Sequence, residues 1–214
     1  MKKIFFLLLI FAACSKKNTV QKPQKTDPKT THLNSIKEEK LILDDSLYYD
    51  LQKAEVMDQN DILFNGKLTR YFNLKEFENV FGKPDSLILM SKEEPCNYEF
   101  ENEDGSKDLE DKYIYKDGSR FENSKDKVAV DEFKFTDKNF INYRGIIMNA
   151  KTTKNDLKKY FPYAIENIGI LDVYDEGPLE VITLREDAEN NSEGHIMIFF
   201  KNDRLYLMHW WFPC

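Results

Sequence analysis

The sequence predicts an α+β fold: a mostly antiparallel sheet with two short helices, built as a tandem duplication of one helix followed by a strand meander. Strand-like runs rich in aromatic and β-branched residues recur over positions 62–212. Two capped amphipathic segments interrupt them, Leu74–Phe81 and Lys154–Phe161. The apolar positions of these two segments match at an offset of 80 residues, which predicts the duplication.

The first residues predict export. Two lysines precede eight apolar residues, 4–11, and two alanines then lead to Cys14. Eight apolar residues are too few for a transmembrane helix, which needs about 20, so the pattern is typical of a signal peptide. Phe11-Ala12-Ala13-Cys14 resembles the lipobox of bacterial lipoproteins, except that leucine is usual at the position of Phe11.

This resemblance implies that residues 1–13 are removed and that the Cys14 thiol carries diacylglycerol, often with a further acyl chain on the new amino terminus. Because each buried CH₂ contributes roughly 0.8 kcal/mol, two or more chains anchor a protein stably to a membrane. Ser15, where aspartate often signals inner-membrane retention, implies the outer membrane. The alternative is an ordinary secretory signal in which Cys14 is incidental.

Residues 14–40 are predicted to be the lipidated cysteine and a flexible tether. Positions 15–40 contain seven lysines and no aromatic residue. Such a segment cannot bury enough apolar surface to offset its ordering entropy. A basic tether is also favourable beside an anionic lipid surface.

Residues 41–214 are predicted to form the globular α+β domain, with halves 41–138 and 139–214. This part holds 22 basic and 35 acidic residues, a net charge of −13. A strongly acidic body argues against nucleic acid as a partner. It is compatible with a cationic partner, but the scattering of the acids favours a role in solubility.

The strands are predicted from their aromatic and β-branched content and from the turns between them. Asp117-Gly118 is a good hairpin signal between Tyr115 and Phe121, and Asn202-Asp203 is a weaker one. The predicted strands are Ile62–Thr69, Ser86–Met90, Asn97–Glu101, Lys112–Tyr115, Lys127–Phe135, Asn142–Met148, Ile168–Tyr174, Leu179–Leu184, His195–Phe200 and Arg204–Phe212. The last is apolar on both faces, so it is either central in the sheet or in contact with a partner.

The two helices carry matching start signals. Asn73 precedes the first with Glu76 three residues later, and Thr153 precedes the second with Asp156, an arrangement typical of a capping box. The turn Gly82-Lys83-Pro84 is predicted to end the first helix.

Further matches support the repeat. Pro162 is predicted to end the second helix. A strand containing a glycine, Gly66 or Gly145, precedes each helix. Phe77 and Leu157 are therefore expected to be equivalent buried positions.

The segment 74–85 resembles a pattern of BamE-like envelope lipoproteins and of the β-lactamase-inhibitor-protein fold. In both, a short helix ends in a Gly-x-Pro turn and feeds an antiparallel sheet. The resemblance covers about a dozen residues, and Thr153–Pro162 repeats it without the glycine. It implies an α+β sheet with helices on one face and a role as a binding or assembly module, although a fold does not establish a function.

Cys96 and Cys214 remain after lipidation of Cys14, and each follows a proline. In an oxidising compartment they are predicted to form a disulfide, which closes a loop of about 118 residues and contributes roughly 4–5 kcal/mol in the chain-entropy model. The alternative is two separate buried thiols. Two cysteines and distant histidines lack metal-ligand spacing, so no metal site is predicted.

The sequence carries no catalytic signature. It has no serine-nucleophile motif, and acids near Cys96 would raise the pKa of its thiol. A two-residue turn at Asn202-Asp203 would place His195 and His209 on opposite faces of a hairpin, which disfavours a shared metal or acid–base site.

We therefore expect a non-enzymatic envelope lipoprotein without a cofactor. It would be attached to the membrane through its lipid and would bind another envelope protein or support an assembly. The alternatives are a carrier or sensor of a small ligand, and a hydrolase with a carboxylate pair that the sequence does not single out.

Overall fold

The computed structural model describes residues 53–189 and 191–213. The predicted signal peptide, Cys14, the tether and Cys214 lie outside the described residues. Within the described ranges, no helix combines the length and the apolar character needed to cross a membrane.

The described chain consists of runs of strands separated by four short α-helices. In chain order they are β1 (Ile62–Phe64), β2 (Tyr71–Asn73), α1 (Leu74–Phe81), β3 (Ser86–Leu89), α2 (Met90–Glu93), β4 (Lys112–Lys116), β5 (Ser119–Ser124), β6 (Lys127–Lys134), β7 (Ile141–Tyr143), β8 (Ile146–Met148), α3 (Lys154–Lys158), α4 (Pro162–Glu166), β9 (Gly169–Val173), β10 (Gly177–Arg185), β11 (His195–Lys201) and β12 (Arg204–Trp211).

Two four-stranded meanders join into one antiparallel sheet. The strand order is β3-β4-β5-β6-β12-β11-β10-β9, so the last strand of each meander pairs with the last strand of the other. β2 pairs with the part of β6 that β12 does not reach. The predicted α+β class is confirmed, and β12 is central in the sheet. The helix-then-meander order recurs in each half, as the duplication requires.

The predicted glycine-containing strands are hairpins instead. Asn65 and Gly66 both have positive φ, 48° and 69°, and so do Arg144 and Gly145, 49° and 84°. Two such residues form the turn whose twist matches paired strands, so the chain folds back where a single strand was expected. Gly145 joins β7 to β8, while Gly66 returns the chain to a single bridge between Phe64 and Leu68.

The two hairpins also pair with each other and strengthen the internal symmetry. β1 runs antiparallel to β7, and Leu63 pairs with Asn142 at the centre of the three pairs. With β8 they form a separate three-stranded sheet.

Both predicted capping boxes form. The Asn73 side chain accepts a hydrogen bond from Glu76 N at 2.9 Å, and the Glu76 carboxylate accepts one from Asn73 N at 2.9 Å. Thr153 and Asp156 make the same reciprocal pair at α3. These side chains satisfy N–H groups that the helices leave without a partner.

The expected end of the second helix is wrong. α3 stops at Lys158, and Pro162 begins α4 instead of ending α3. Proline suits a first helical position, where its missing N–H costs no hydrogen bond. The Glu55 carboxylate accepts hydrogen bonds from Tyr163 N and Ala164 N at 2.6 and 3.0 Å, which fixes the start of this extra helix.

The main core lies between the sheet and the helices. Phe77 and Leu157 are both almost fully buried, as expected for equivalent positions. The Phe77 ring lies 5.1 Å from the Phe121 ring on β5, centroid to centroid, which fixes α1 against its own meander. We call the side of the sheet that faces this core the inner face, and the opposite side the outer face.

The predicted strand Asn97–Glu101 is irregular. It belongs to the long connection 94–111 between α2 and β4. The backbone N–H of Glu99 donates to the Glu122 carboxylate at 2.9 Å, so a side chain and not a neighbouring strand receives it. This connection lies against the outer face and forms part of the site described below.

Candidate functional site

The outer face differs between the two meanders. Side chains alternate between faces along each strand. On β9–β12 the outer positions include a buried apolar cluster of Leu179, Val181, Phe199 and Leu207. On β4–β6 the outer positions include the polar or charged residues Tyr113, Arg120, Glu122 and Asp131.

A cleft of about 830 Å³ opens over this polar half. Its floor comes from β5, β6 and β12. Its walls come from the connection 93–99, from Glu186, Ser192 and Glu193, and from the end of the described chain. We call it the acidic cleft, because six acidic side chains line it against two arginines. The charged lining residues are Arg70, Arg120, Glu93, Glu99, Glu122, Asp131, Glu186 and Glu193.

One wall of the acidic cleft joins the first half to the C-terminal segment. The Asn97 amide donates to the carbonyls of Pro213 and Phe212 at 3.0 and 3.4 Å. Cys96 therefore stands next to a residue that holds the segment leading to Cys214. The disulfide itself stays a prediction, since Cys214 lies outside the described residues.

Arg70 is buried at the centre of the cleft. Its Nη2 donates to Glu99 Oε2 at 2.7 Å, and its Nη1 lies 3.7 Å from Glu186 Oε2. Its guanidinium also lies over three aromatic rings, with 4.8–5.3 Å from Cζ to the ring centroids of Trp210, Tyr71 and Phe212. Two carboxylates and three π-faces offset the cost of burying this charge.

Arg120 organises the second charged group. Arg120 of β5 pairs with Glu132 of β6, while Phe121 pairs with Val130. Asp131 is therefore the extra residue of a β-bulge, and both Asp131 and Glu132 face outward. Arg120 donates to both carboxylates, at 2.7 Å to Glu132. Burial raises the pKa of Asp131. Burial also opposes ionisation of Glu132, but contact with His209 and the charge of Arg120 outweigh it and lower the pKa of Glu132.

Glu122 lies between these two groups. Its side chain is buried, with 9% of the residue exposed, and it accepts the hydrogen bond from Glu99 N. The ion pairs of Arg70 and Arg120 go to other carboxylates. Burial, with smaller contributions from the charges of Asp131 and Glu99, raises the pKa of Glu122 to about 7.

The histidines lie on the same face, contrary to expectation. His195 pairs with Trp211 and Met197 pairs with His209, because a bulge between Phe199 and Phe200 shifts the register by one residue. A one-residue shift moves a side chain to the other face of a strand. His209 Nδ1 lies 3.3 Å from Glu132 Oε1, and the His195 ring lies 5.1 Å from the Trp211 ring.

The cleft also gathers buried polar atoms without hydrogen bonds. Among the described residues, five buried side-chain nitrogen or oxygen atoms accept or donate none. Four of them belong to residues that line the acidic cleft: Gln59 Oε1, Glu186 Oε2, His209 Nδ1 and Trp210 Nε1. Buried polar groups normally have partners, so such atoms indicate a place where a bound group would supply them.

The arrangement is suited to binding a positively charged hydrogen-bond donor. Carboxylates outnumber guanidiniums, and aromatic side chains stand at the rim, where Trp211 keeps 39% of its surface exposed. Within the described part of the chain, no group of three or more histidine, cysteine or acidic residues has a geometry that could hold a metal ion.

Of the candidate residues that the sequence singled out, Cys96 and His209 line this site. Arg70, Glu122, Asp131 and Glu186 were missed because they are single residues far apart in the chain. A usable signal was present: Arg120 and Glu122 flank Phe121 at alternate positions of one strand, and Asp131 follows the apolar run Val128-Ala129-Val130.

Comparisons with protein-family models, curated proteins and solved structures found no match to this chain. Its function is therefore argued from the geometry above.

Proposed function

We propose that this protein is a lipid-anchored lipoprotein of the cell envelope, held in the outer membrane, that binds another envelope protein through the acidic cleft. The amino-terminal pattern that ends at Cys14 supports the anchor. The observation that carries the binding role is the cleft itself: a concave site of about 830 Å³ with a charged floor and partly exposed aromatic residues. Tryptophan, tyrosine and arginine are the side chains that most often dominate binding at protein interfaces.

The anchor is tested by cell fractionation of Cys14→Ser. Wild type should remain with membranes, and the variant should be released or should accumulate as the uncleaved precursor. Identical soluble behaviour of the two proteins would contradict lipidation at Cys14.

The binding role is tested by affinity purification from detergent-solubilised membranes. We expect wild type to co-purify with an envelope protein that Trp211→Ala loses, because Trp211 stands at the rim of the cleft. Tyr174→Ala is the matched control, since Tyr174 is 91% exposed in the β9–β10 turn and does not line the cleft. Equal recovery with both variants would exclude the cleft as the binding surface.

A second candidate function is carboxylate-dependent hydrolysis of a polysaccharide. It is favoured by the divergent pKa values of Glu122, raised to about 7, and Glu132, lowered. A protonated acid and an ionised partner are the pair that glycoside hydrolysis requires. Release of reducing sugar from cell-wall polysaccharide by wild type, and its loss in Glu122→Gln, would select this function over the binding role.

A further inference from the structure

The acidic cleft holds more negative charge than its own arginines neutralise. Arg70 is paired with Glu99 and Glu186, and Arg120 is paired with Asp131 and Glu132. Both guanidiniums are thus shared between two carboxylates each, and Glu122 is left outside these ion pairs. A buried carboxylate without a cation is costly when ionised, and a cationic group in the cleft would offset that cost.

A second, independent observation points in the same direction. Glu186 is 3% exposed and lines the cleft, and its Oε2 lies 3.7 Å from Arg70 Nη1 but accepts no hydrogen bond. Gln59 Oε1 is likewise buried and without a donor, and the two residues are adjacent because Gln59 N donates to Glu186 O at 3.0 Å. Both atoms are acceptors, so the missing partner is a donor.

The rim fits a cation with an apolar stem. Tyr71 and Trp211 line the cleft and keep 44% and 39% of their surfaces exposed. Aromatic faces attract ammonium and guanidinium groups, and they also pack against the methylene stems that carry such groups in lysine and arginine.

We propose that the acidic cleft binds a basic side chain, the guanidinium of arginine or the ammonium of lysine, presented by a segment of a partner protein. This inference rests on the proposed protein-binding function and names the chemistry that the cleft recognises. The cation lies over the carboxylates of Glu122 and Glu186, donates to their oxygens, and its stem lies between the rim aromatics.

The pH dependence of binding follows from the groups around Glu122. The charged groups that face it are Glu99 from the long connection, Arg70 before β2, and Asp131 on β6. The pKa of Glu122 lies at about 7, so raising the pH from 6 to 8 increases its negative charge and should tighten binding of a cation. His209 lies beside Asp131 and Glu132, so the Glu122 contribution is taken as the difference in pH dependence between wild type and Glu122→Gln.

The experiment is calorimetric titration of the full chain, solubilised in detergent, with capped pentapeptides. The probe is Gly-Gly-Arg-Gly-Gly, and its control is the same peptide with citrulline, which has nearly the shape of arginine without the charge. We expect binding of the arginine peptide and at least tenfold weaker binding of the citrulline peptide.

Matched variants locate the site. Glu122→Gln should weaken the arginine peptide by about tenfold and reduce the tightening between pH 6 and 8, while its amide oxygen still accepts from Glu99 N. Asp172→Asn, which removes one exposed negative charge from β9, should leave affinity unchanged. Equal binding of the arginine and citrulline peptides, or equal losses in the two variants, would overturn the proposal.

Three further outcomes distinguish a free cation from a partner protein as the ligand, and failure of the cation site from failure of the proposed protein-binding function. If argininamide or spermidine binds as tightly as the peptide, the cleft recognises a free cation and the partner-protein source is wrong. If the co-purified partner is lost in Trp211→Ala but no basic peptide binds, the charge chemistry fails while the binding function stands. If the peptide binds and no partner depends on Trp211, the proposed function fails while the cation site stands.

Discussion

The first meander, β3–β6, and the second, β9–β12, pack capped helices against the inner face in the same way but present different outer faces. In the second, Leu179, Val181, Phe199 and Leu207 form a buried apolar cluster. In the first, the outer face instead carries buried or half-buried charged side chains around Arg120 and Glu122. The same arrangement of helix and meander thus occurs with an apolar outer face in one half and a charged outer face in the other.

This difference bears on whether the charged groups of the first meander stabilise the fold. Replacing buried ion pairs by well-packed apolar residues is often neutral or stabilising. The second meander contains such an apolar solution on its outer face. The first meander instead places buried charges beside an open cleft, which supports the proposed binding role.

The largest expected effect concerns the inner faces, where the two halves should behave alike. Phe77→Ala and Leu157→Ala should each lower the free energy of unfolding by about 2–5 kcal/mol, because each leaves a cavity under its helix. Urea unfolding measures both. Tyr160→Ala is the control and should cost under about 1 kcal/mol, because Tyr160 lies two residues after the end of α3 and is 38% exposed. A large loss for only one of the buried residues would break the equivalence of the halves.

The next effect concerns the outer face, where the halves should differ. The pKa of Glu122 is about 7 in the folded protein and has its ordinary value of 4.5 when the chain is unfolded. Between pH 4.5 and 7 the folded state therefore binds more protons than the unfolded state, and wild type loses stability as the pH rises. Relative to wild type, Glu122→Gln should gain at most about 3 kcal/mol across this interval and nothing further above it. Urea unfolding at a series of pH values measures the gain.

Asp172→Asn is the control on the second meander. Asp172 is exposed, so its substitution should give a difference from wild type that is nearly constant over the same pH interval. If Glu122→Gln gave the same constant difference, the burial of an unpaired acid in the first meander would be refuted.

The smallest effect concerns the helix starts, where the halves should again agree. Asn73→Ala and Thr153→Ala should each cost about 1 kcal/mol, because each removes the acceptor of a capping box. Thermal unfolding resolves a loss of this size. Asn73→Ser and Thr153→Ser keep an acceptor and should recover most of the loss, whereas no recovery would argue that the caps do not stabilise these helices.

Local signals predicted much of the scaffold. The bounds of α1, Leu74–Phe81, were predicted as observed, and the hairpin at Asp117-Gly118 forms with both residues at positive φ. Such features depend on a few neighbouring residues: a cap, a glycine, an alternation of apolar side chains. The repeat was visible because it preserves these local features in the same order.

The acidic cleft could not be predicted in the same way. Gln59, Arg70, Glu122 and Glu186 meet only because the two meanders join and the long connections fold over the outer face. The bulges at Asp131 and at Phe199 decide which side chains share a face, and a bulge inserts one residue without a strong sequence signal. The prediction that His195 and His209 lie on opposite faces was wrong because it did not include the bulge at Phe199.

The most direct test of the central claim is site-specific photo-crosslinking in intact cells. One photoreactive amino acid replaces Tyr98 at the wall of the acidic cleft, and another replaces Ile170, which is 68% exposed on the edge strand β9 of the second meander. We expect a discrete adduct with an envelope protein from position 98, which is lost when Glu122→Gln is added, and no adduct from position 170. An adduct from position 170 alone, or adducts of equal yield from both, would contradict the central claim.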